Sequence, residues 1–246
     1  MQILKSVKGQ LVIYLTCFAV FLAIKDRNGI FLLATSFAVL SALGTESVIV
    51  YFKTRVWKLT ASSAITGLII GYVFSSDQSW WKLLVACVLA ISSKYLIRFQ
   101  KKHIFNPAAF GILLVIVLFG ASTQWKGTYV WYILLPGGIY FAQKIRKLKI
   151  VISYFLVSLA LFGIQAITQK IPLTHILGYL SYFYIFVMII EPKTSPVKPV
   201  GQIVFGAGIA GLIFILTGYG VKFDAELFSL LILNAGVLLI NKRRIS

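Results

Sequence analysis

The sequence predicts an all-α polytopic membrane protein: about ten transmembrane helices, arranged as two inverted five-helix repeats with short or broken helices. Three observations carry that prediction. Of 246 residues, 59% are hydrophobic, 12% are charged, and the mean hydropathy is +0.92. A soluble protein of this size cannot cover its surface with so few polar groups. The apolar residues fall in continuous runs rather than strict alternation, which disfavours an outer-membrane barrel and leaves helices as the spanning element. Finally, Lys and Arg are distributed unevenly between the two sets of loops. Soluble enzymes, disulfide scaffolds and disordered tails are excluded on composition alone. The chain reads as a single membrane domain over 1–246, with repeat one over about 1–122 and repeat two over about 123–246.

Taken in order, the apolar runs place spans near 10–24, 29–52, 59–75, 80–97, 104–120, 128–142, 149–168, 173–190, 200–219 and 225–241. The first follows Lys5 and Lys8, as a signal peptide would. No small-residue cleavage site follows, because the run ends in AIKDR, so an uncleaved first span is expected. The third is interrupted by Thr60, Ser62, Ser63, Thr66 and Gly67. The fifth opens on Asn106-Pro107, and the eighth ends in Glu191-Pro192-Lys193-Thr194-Ser195-Pro196. Short, Gly- or Pro-interrupted segments at corresponding places in two halves point to discontinuous helices at a central site. Five spans per half is odd, so a duplication would be inverted.

The net charge is +18, from 24 basic and 6 acidic residues. No basic stripe with interleaved exposed aromatics accompanies it, so no nucleic-acid partner is expected. The excess is topological. With the N-terminus in the cytoplasm, the inner segments carry Lys5, Lys8, Lys53, Arg55, Lys58, Lys94, Arg98, Lys101, Lys102, Lys144, Arg146, Lys147, Lys149, Lys193, Lys198, Lys242, Arg243 and Arg244. The outer segments carry Lys25, Arg27, Lys82, Lys126, Lys170 and Lys222. The expected location is the inner (cytoplasmic) membrane, multi-pass, with both termini cytoplasmic. The loops are short, so soluble redox or nucleotide-binding chemistry belongs to partner proteins.

Glu46 is the most informative single residue, a charge inside the second apolar run. An ionisable group in a span is costly, and its default reading is ion or proton coupling. The alternative is a residue near the helix end, capped by Lys53 or Arg55. Ser63 and Thr66 belong to a segment whose small residues allow close helix approach or whose hydroxyls line a polar ligand. Asn106 with Pro107 makes a helix N-cap with Pro at the first helical position. Such an N-terminus is also an anion site. Three prolines over 192–199 forbid helix there, leaving Glu191, Thr194 and Ser195 in a rigid polar hairpin. Asn234 is a polar residue in the last span and needs a partner. Cys17 and Cys87 read as apolar packing residues. His103 and His175 are far apart, and no carboxylate stands at metal-ligand spacing, so no metal is expected.

Four segments in order resemble one family. They are TESVIVYFKTR with SSAITGLIIGYVFSSDQSWW, SKYLIRFQKKHIFNPAAFG, EPKTSPVKPVGQIVFGAGIAGLIF and ILNAGVLLIN. This is the RnfD/NqrB family, whose members are membrane proteins of the Rnf electron-transport complex and of the sodium-pumping NADH:quinone reductase. The resemblance spans roughly 40–241. It implies two inverted five-helix repeats akin to urea and ammonium channels, and flavin (FMN or riboflavin) bound between the repeats. It also implies electron transfer to redox partners that hold iron–sulfur centres and oxidise NADH, with coupled Na⁺ or H⁺ transport. On this resemblance Ser63, Thr66, Asn106, Pro107, Glu191, Thr194, Ser195 and Asn234 are the expected cofactor contacts. The chain would then be an electron-carrying subunit without catalytic side chains of its own. The family's covalent flavin threonine lies in a Ser-x-Ala-Thr motif; here the sequence is GASTQWKG, and attachment is not carried onto Thr123. Glu191 stands where the family usually has Asp. A different class fits the same architecture: a channel or transporter for a small solute, without redox activity.

Overall fold

The computed structural model describes residues 6–100, 102–170, 172, 177–178, 180–221 and 223–242, with side chains through 238. The described residues are mostly helical and divide into two compact units, 1–126 and 127–246.

Unit one holds α1 (Val7–Lys25), α2 (Gly29–Thr54), α3 (Ala61–Val73), α4 (Trp80–Leu96) and α5 (Pro107–Phe119). Most starts have a local chemical reason. Ser6 Oγ accepts from Gly9 N at 3.0 Å, and Asn28 Oδ1 accepts from Phe31 N at 2.9 Å. Thr60 Oγ1 accepts from Ser63 N at 3.2 Å, and Asn106 Oδ1 from Ala109 N at 3.0 Å. These satisfy amide groups that a helix start leaves without partners. Pro107 occupies the first position of α5, where its missing N–H costs nothing. At the other end, α5 closes on Gly120 at φ 60°. A two-residue hairpin, β1 (Arg98–Phe99) against β2 (Lys102–His103), fills the basic RFQKKH turn.

Helix α3 has 13 residues and so is about 20 Å long, short of the ~30 Å apolar layer. It lies tightly on α2. A Cβ on Gly67 would meet Val39 Cα at 2.6 Å, and one on Gly71 would meet Thr35 Cα at 2.7 Å. Past Val73 the chain extends, and Phe74 bridges Thr123 in antiparallel pairing. Gln124 N donates to Val73 O and Lys126 N to Tyr72 O, both at 2.8 Å. Thr123 is therefore part of the strap that continues the short helix. Lys126 Nζ also reaches Asp26 Oδ2 at 2.8 Å.

Unit two holds α6 (Trp131–Lys144), α7 (Leu148–Thr168), a π-helical turn (Tyr184–Met188), α8 (Pro199–Gly218) and α9 (Ala225–Lys242). Helix α7 packs chiefly on α8, where Gly206 sits against Ser153 Oγ and Ile150 O. Of the expected eighth span, residues 177–178 and 180–190 are described; residues 173–176 and 179, His175 among them, lie outside the described residues. The proline-rich stretch 191–198 is non-helical, and Pro199 opens α8 as its first residue.

Among the described residues four helices, α1, α2, α7 and α8, are long and apolar enough to cross a membrane. Large apolar side chains face outward from them: Leu33, Leu40, Leu156 and Ile164 are all exposed. Helices that are apolar on the outside as well as the inside suit lipid. Exposed Trp57, Trp80, Trp81 and Trp131 stand at or beside helix ends, as aromatic anchors of a bilayer interface do. The protein is an all-α multi-pass membrane protein. Of the two cysteines, Cys87 is buried, with its thiol near Ala38 O at 3.5 Å, whereas Cys17 lies on an exposed helix face.

Candidate functional site

In unit one a buried charge cluster forms where α2, α3 and α4 meet. Glu46 is 4% exposed and Lys94 is 7% exposed. Lys94 Nζ stands 4.0 Å from Glu46 Oε1 and donates to Ser62 O at 3.2 Å and Ser62 Oγ at 3.3 Å. Glu46 Oε1 accepts from Tyr95 Oη at 3.2 Å, and its Oε2 accepts from the Thr60 hydroxyl. One threonine thus caps α3 and holds the carboxylate. The neighbouring Ser47 hydroxyl ties the approach to α3 by donating to Lys58 O at 3.0 Å. Charges removed from water must be paired and hydrogen-bonded to be tolerated, and this cluster supplies both.

The cluster corrects one expectation. Glu46 is not capped by its helix neighbours: Lys53 lies over the Tyr95 ring at 4.7 Å and Arg55 over the Tyr51 ring at 5.8 Å. Its cationic partner comes from α4. Lys94, counted with the inner-side cations and inside the expected span 80–97, is helical and buried. Lys147 is likewise buried, at 4% exposed, and donates to Ser195 O at 3.3 Å and Pro196 O at 2.5 Å. Both lysines stand at the edge of a basic run, and sequence position alone does not reveal that they are buried.

In unit two Lys147 anchors the second cluster. The Thr194 hydroxyl donates to Glu191 Oε2 at 3.2 Å, and the Ser195 hydroxyl to Glu191 O at 2.7 Å. Asn234 Nδ2 donates to Thr194 O at 3.0 Å, pinning α9 to the hairpin. Gln202, which no sequence signal singles out, donates to Arg146 O at 3.0 Å and Val197 O at 3.2 Å. Prolines at 192, 196 and 199 remove backbone donors from this stretch. Side chains from α7's start, α8 and α9 supply donors to its carbonyls instead.

The expected contact residues thus fall into two groups. Glu191, Thr194, Ser195 and Asn234 come together around the hairpin. Ser63 joins the Thr60 cap, its hydroxyl donating to Thr60 O at 2.9 Å; Thr66 donates to Ser62 O at 2.9 Å, one turn back. Asn106 and Pro107 begin α5. Most of these hydroxyls and amides already bond nearby backbone. The residue set does not fit as the flavin's hydrogen-bonding shell.

Residues 120–245, just over half of the chain, match the NQR2, RnfD, RnfE family. The chain belongs to that family. The matched residues cover unit two and the strap that closes unit one. The Glu46–Lys94 cluster lies upstream of them. A curated relative from Aeromonas hydrophila subsp. hydrophila, the D component of the ion-translocating oxidoreductase complex, is 31% identical over 93 residues. That similarity covers 36% of this chain and 27% of the relative, so only about a quarter of the relative's length is matched. Among the described residues no group of three or more His, Cys, Asp or Glu is placed to hold a metal ion.

Proposed function

We propose that this protein is the membrane subunit of an ion-translocating oxidoreductase complex, in the inner membrane with both termini cytoplasmic. Partner proteins carry electrons to and from it, and it works with non-covalently held FMN or riboflavin. Family membership supports the class of complex. The single observation that carries the coupling role is the Glu46–Lys94 pair, buried at the junction of three helices. An acid–base pair in such a place is costly, and ion pathways are where membrane proteins keep such groups. Lys94 stands between Glu46 and the Ser62 carbonyl and hydroxyl. A proton or Na⁺ arriving at Glu46 displaces the ammonium toward acceptors it already has. Thr60 and Tyr95 hold the carboxylate oriented during the exchange.

When bound, a flavin would supply the redox chemistry. No step is assigned through it on Ser63, Thr66, Asn106, Thr194, Ser195 or Asn234, because those side chains serve the fold.

The test is an absorption spectrum of the detergent-purified protein from a flavin-replete host, followed by acid precipitation. A flavin spectrum released to the supernatant is the expected result. Colour in the pellet would mean covalent attachment. Folded, colourless protein would overturn the flavin reading and favour a small-solute channel or transporter.

A further inference from the structure

The acidic residues of unit two include one that the clusters above do not use. In unit one, Asp26 pairs with Lys126 and Glu46 with Lys94. In unit two, Asp224 caps α9 through Leu227 N at 3.0 Å. Glu226 lines a cavity of about 370 Å³ at the end of unit two opposite Lys147. Among the described residues no Lys or Arg pairs with it, and no basic side chain lines the cavity. In a chain with 24 basic residues and a net charge of +18, a carboxylate facing a cavity without one is a specific arrangement.

We propose that this cavity binds a primary ammonium group carried on a short apolar or aromatic body, with Glu226 as its counter-charge. The site is built to hold Glu226 still. Tyr184 Oη donates to the Glu226 backbone carbonyl at 2.9 Å, which fixes the residue at the cavity wall through its main chain. Around it stand further acceptors for an ammonium's remaining protons: the carboxamides of Gln165 and Gln169 and the Thr217 hydroxyl. Helices α7 and α8 both end here, at Thr168 and Gly218. Their carbonyl ends carry partial negative charge, which favours a cation within the last turn. Tyr154 and Phe162 also line the cavity, and aromatic rings attract cations.

The remaining walls are apolar, from Ala166, Leu180, Ile213 and Ala225. A bare metal ion requires a close shell of oxygens, and this mainly apolar cavity is the wrong size and chemistry for one. The volume is that of a small-molecule site with few polar groups. The ammonium has two sources, a free amine or the aminoethyl headgroup of a lipid.

The test uses benzylammonium chloride and its neutral counterpart benzyl alcohol, titrated onto the full-length protein in detergent and followed by saturation-transfer NMR. Benzylammonium is expected to bind saturably and at least tenfold tighter than benzyl alcohol. Glu226→Gln is expected to weaken it at least tenfold. Gln165→Leu, which leaves the carboxylate in place, is expected to weaken it at least threefold and provides a second route should Glu226→Gln fail to fold. Equal binding of the charged and neutral probes, or binding unchanged in either folded variant, would overturn the proposal. Repeating the titration in nanodiscs distinguishes the sources. Competition by phosphatidylethanolamine, absent with phosphatidylcholine, assigns the lipid headgroup; undiminished binding in both assigns a free amine.

Discussion

Two lysines, one in each unit, are buried beside a broken segment, and they are held in different ways. Lys94 in unit one meets side chains: the Glu46 carboxylate at 4.0 Å and the Ser62 hydroxyl at 3.3 Å, besides the Ser62 carbonyl. Lys147 in unit two grips the main chain, donating to the carbonyls of Ser195 and Pro196. The difference follows from the chemistry of each break. Helix α3 begins on Thr60, an ordinary cap, so its backbone is satisfied locally and the lysine is available to a carboxylate. The 191–198 hairpin is rich in proline, which removes N–H donors, and an ammonium fills part of that deficit. A buried cation therefore pairs with a carboxylate at the proposed coupling site in one unit and staples the main chain in the other.

The largest effect is expected where the comparison is sharpest. Lys94→Met leaves Glu46 as a buried carboxylate without its cation, and loss of one partner of a buried pair costs about 3–5 kcal/mol. Reversible unfolding in mixed detergent should register it. Combining it with Glu46→Gln should recover most of the loss, because an apolar or neutral replacement of the whole pair is tolerated. Should the double variant remain as unstable as the single one, the two residues do not act as a pair and the coupling proposal loses its support.

A smaller loss is expected for Lys147→Met, about 2 kcal/mol, from buried carbonyls left without a donor. Adding Glu46→Gln to it should give the sum of the separate effects, because residues without shared partners are additive within about 0.5 kcal/mol. Limited proteolysis within 191–198 should increase in this variant and not in Lys94→Met. Equal cleavage in both variants would contradict the separation of roles.

Much of this arrangement is legible in the sequence, and the reasons for the rest are physical. The apolar runs and the cap at Asn106 place helices, because both signals are local. Glu46 stands out because a carboxylate in an apolar run has no cheap explanation. Lys94 does not stand out: it lies just before Arg98, and proximity to a basic run disguises a buried charge. Its partner Glu46 is on another helix, far away along the chain. The pairing depends on α3 lying close enough on α2 for Ser62 and Thr60 to reach both, which Gly67 and Gly71 permit. Side-chain hydroxyls are the least legible feature. Sequence shows that Ser63, Thr66, Thr194 and Ser195 carry donors, and packing decides whether those donors face a ligand or the backbone.

Two threonines at the start of α3 make that last point testable. Thr60 has two tasks, capping Ser63 N and donating to Glu46. Thr60→Val should cost about 1–2 kcal/mol, the usual value of a lost N-cap, and it should also remove a donor from the carboxylate. Thr66 donates one turn back to Ser62 O, a carbonyl in the first turn of the same helix. Such a bond competes with helical geometry as much as it supports it. Thr66→Val keeps the branched shape and should change stability by less than about 0.5 kcal/mol. It should also leave any bound flavin in place, because the hydroxyl serves α3. A Thr66→Val protein of full stability that has lost its flavin spectrum would reverse this assignment and return Thr66 to the cofactor's contact shell.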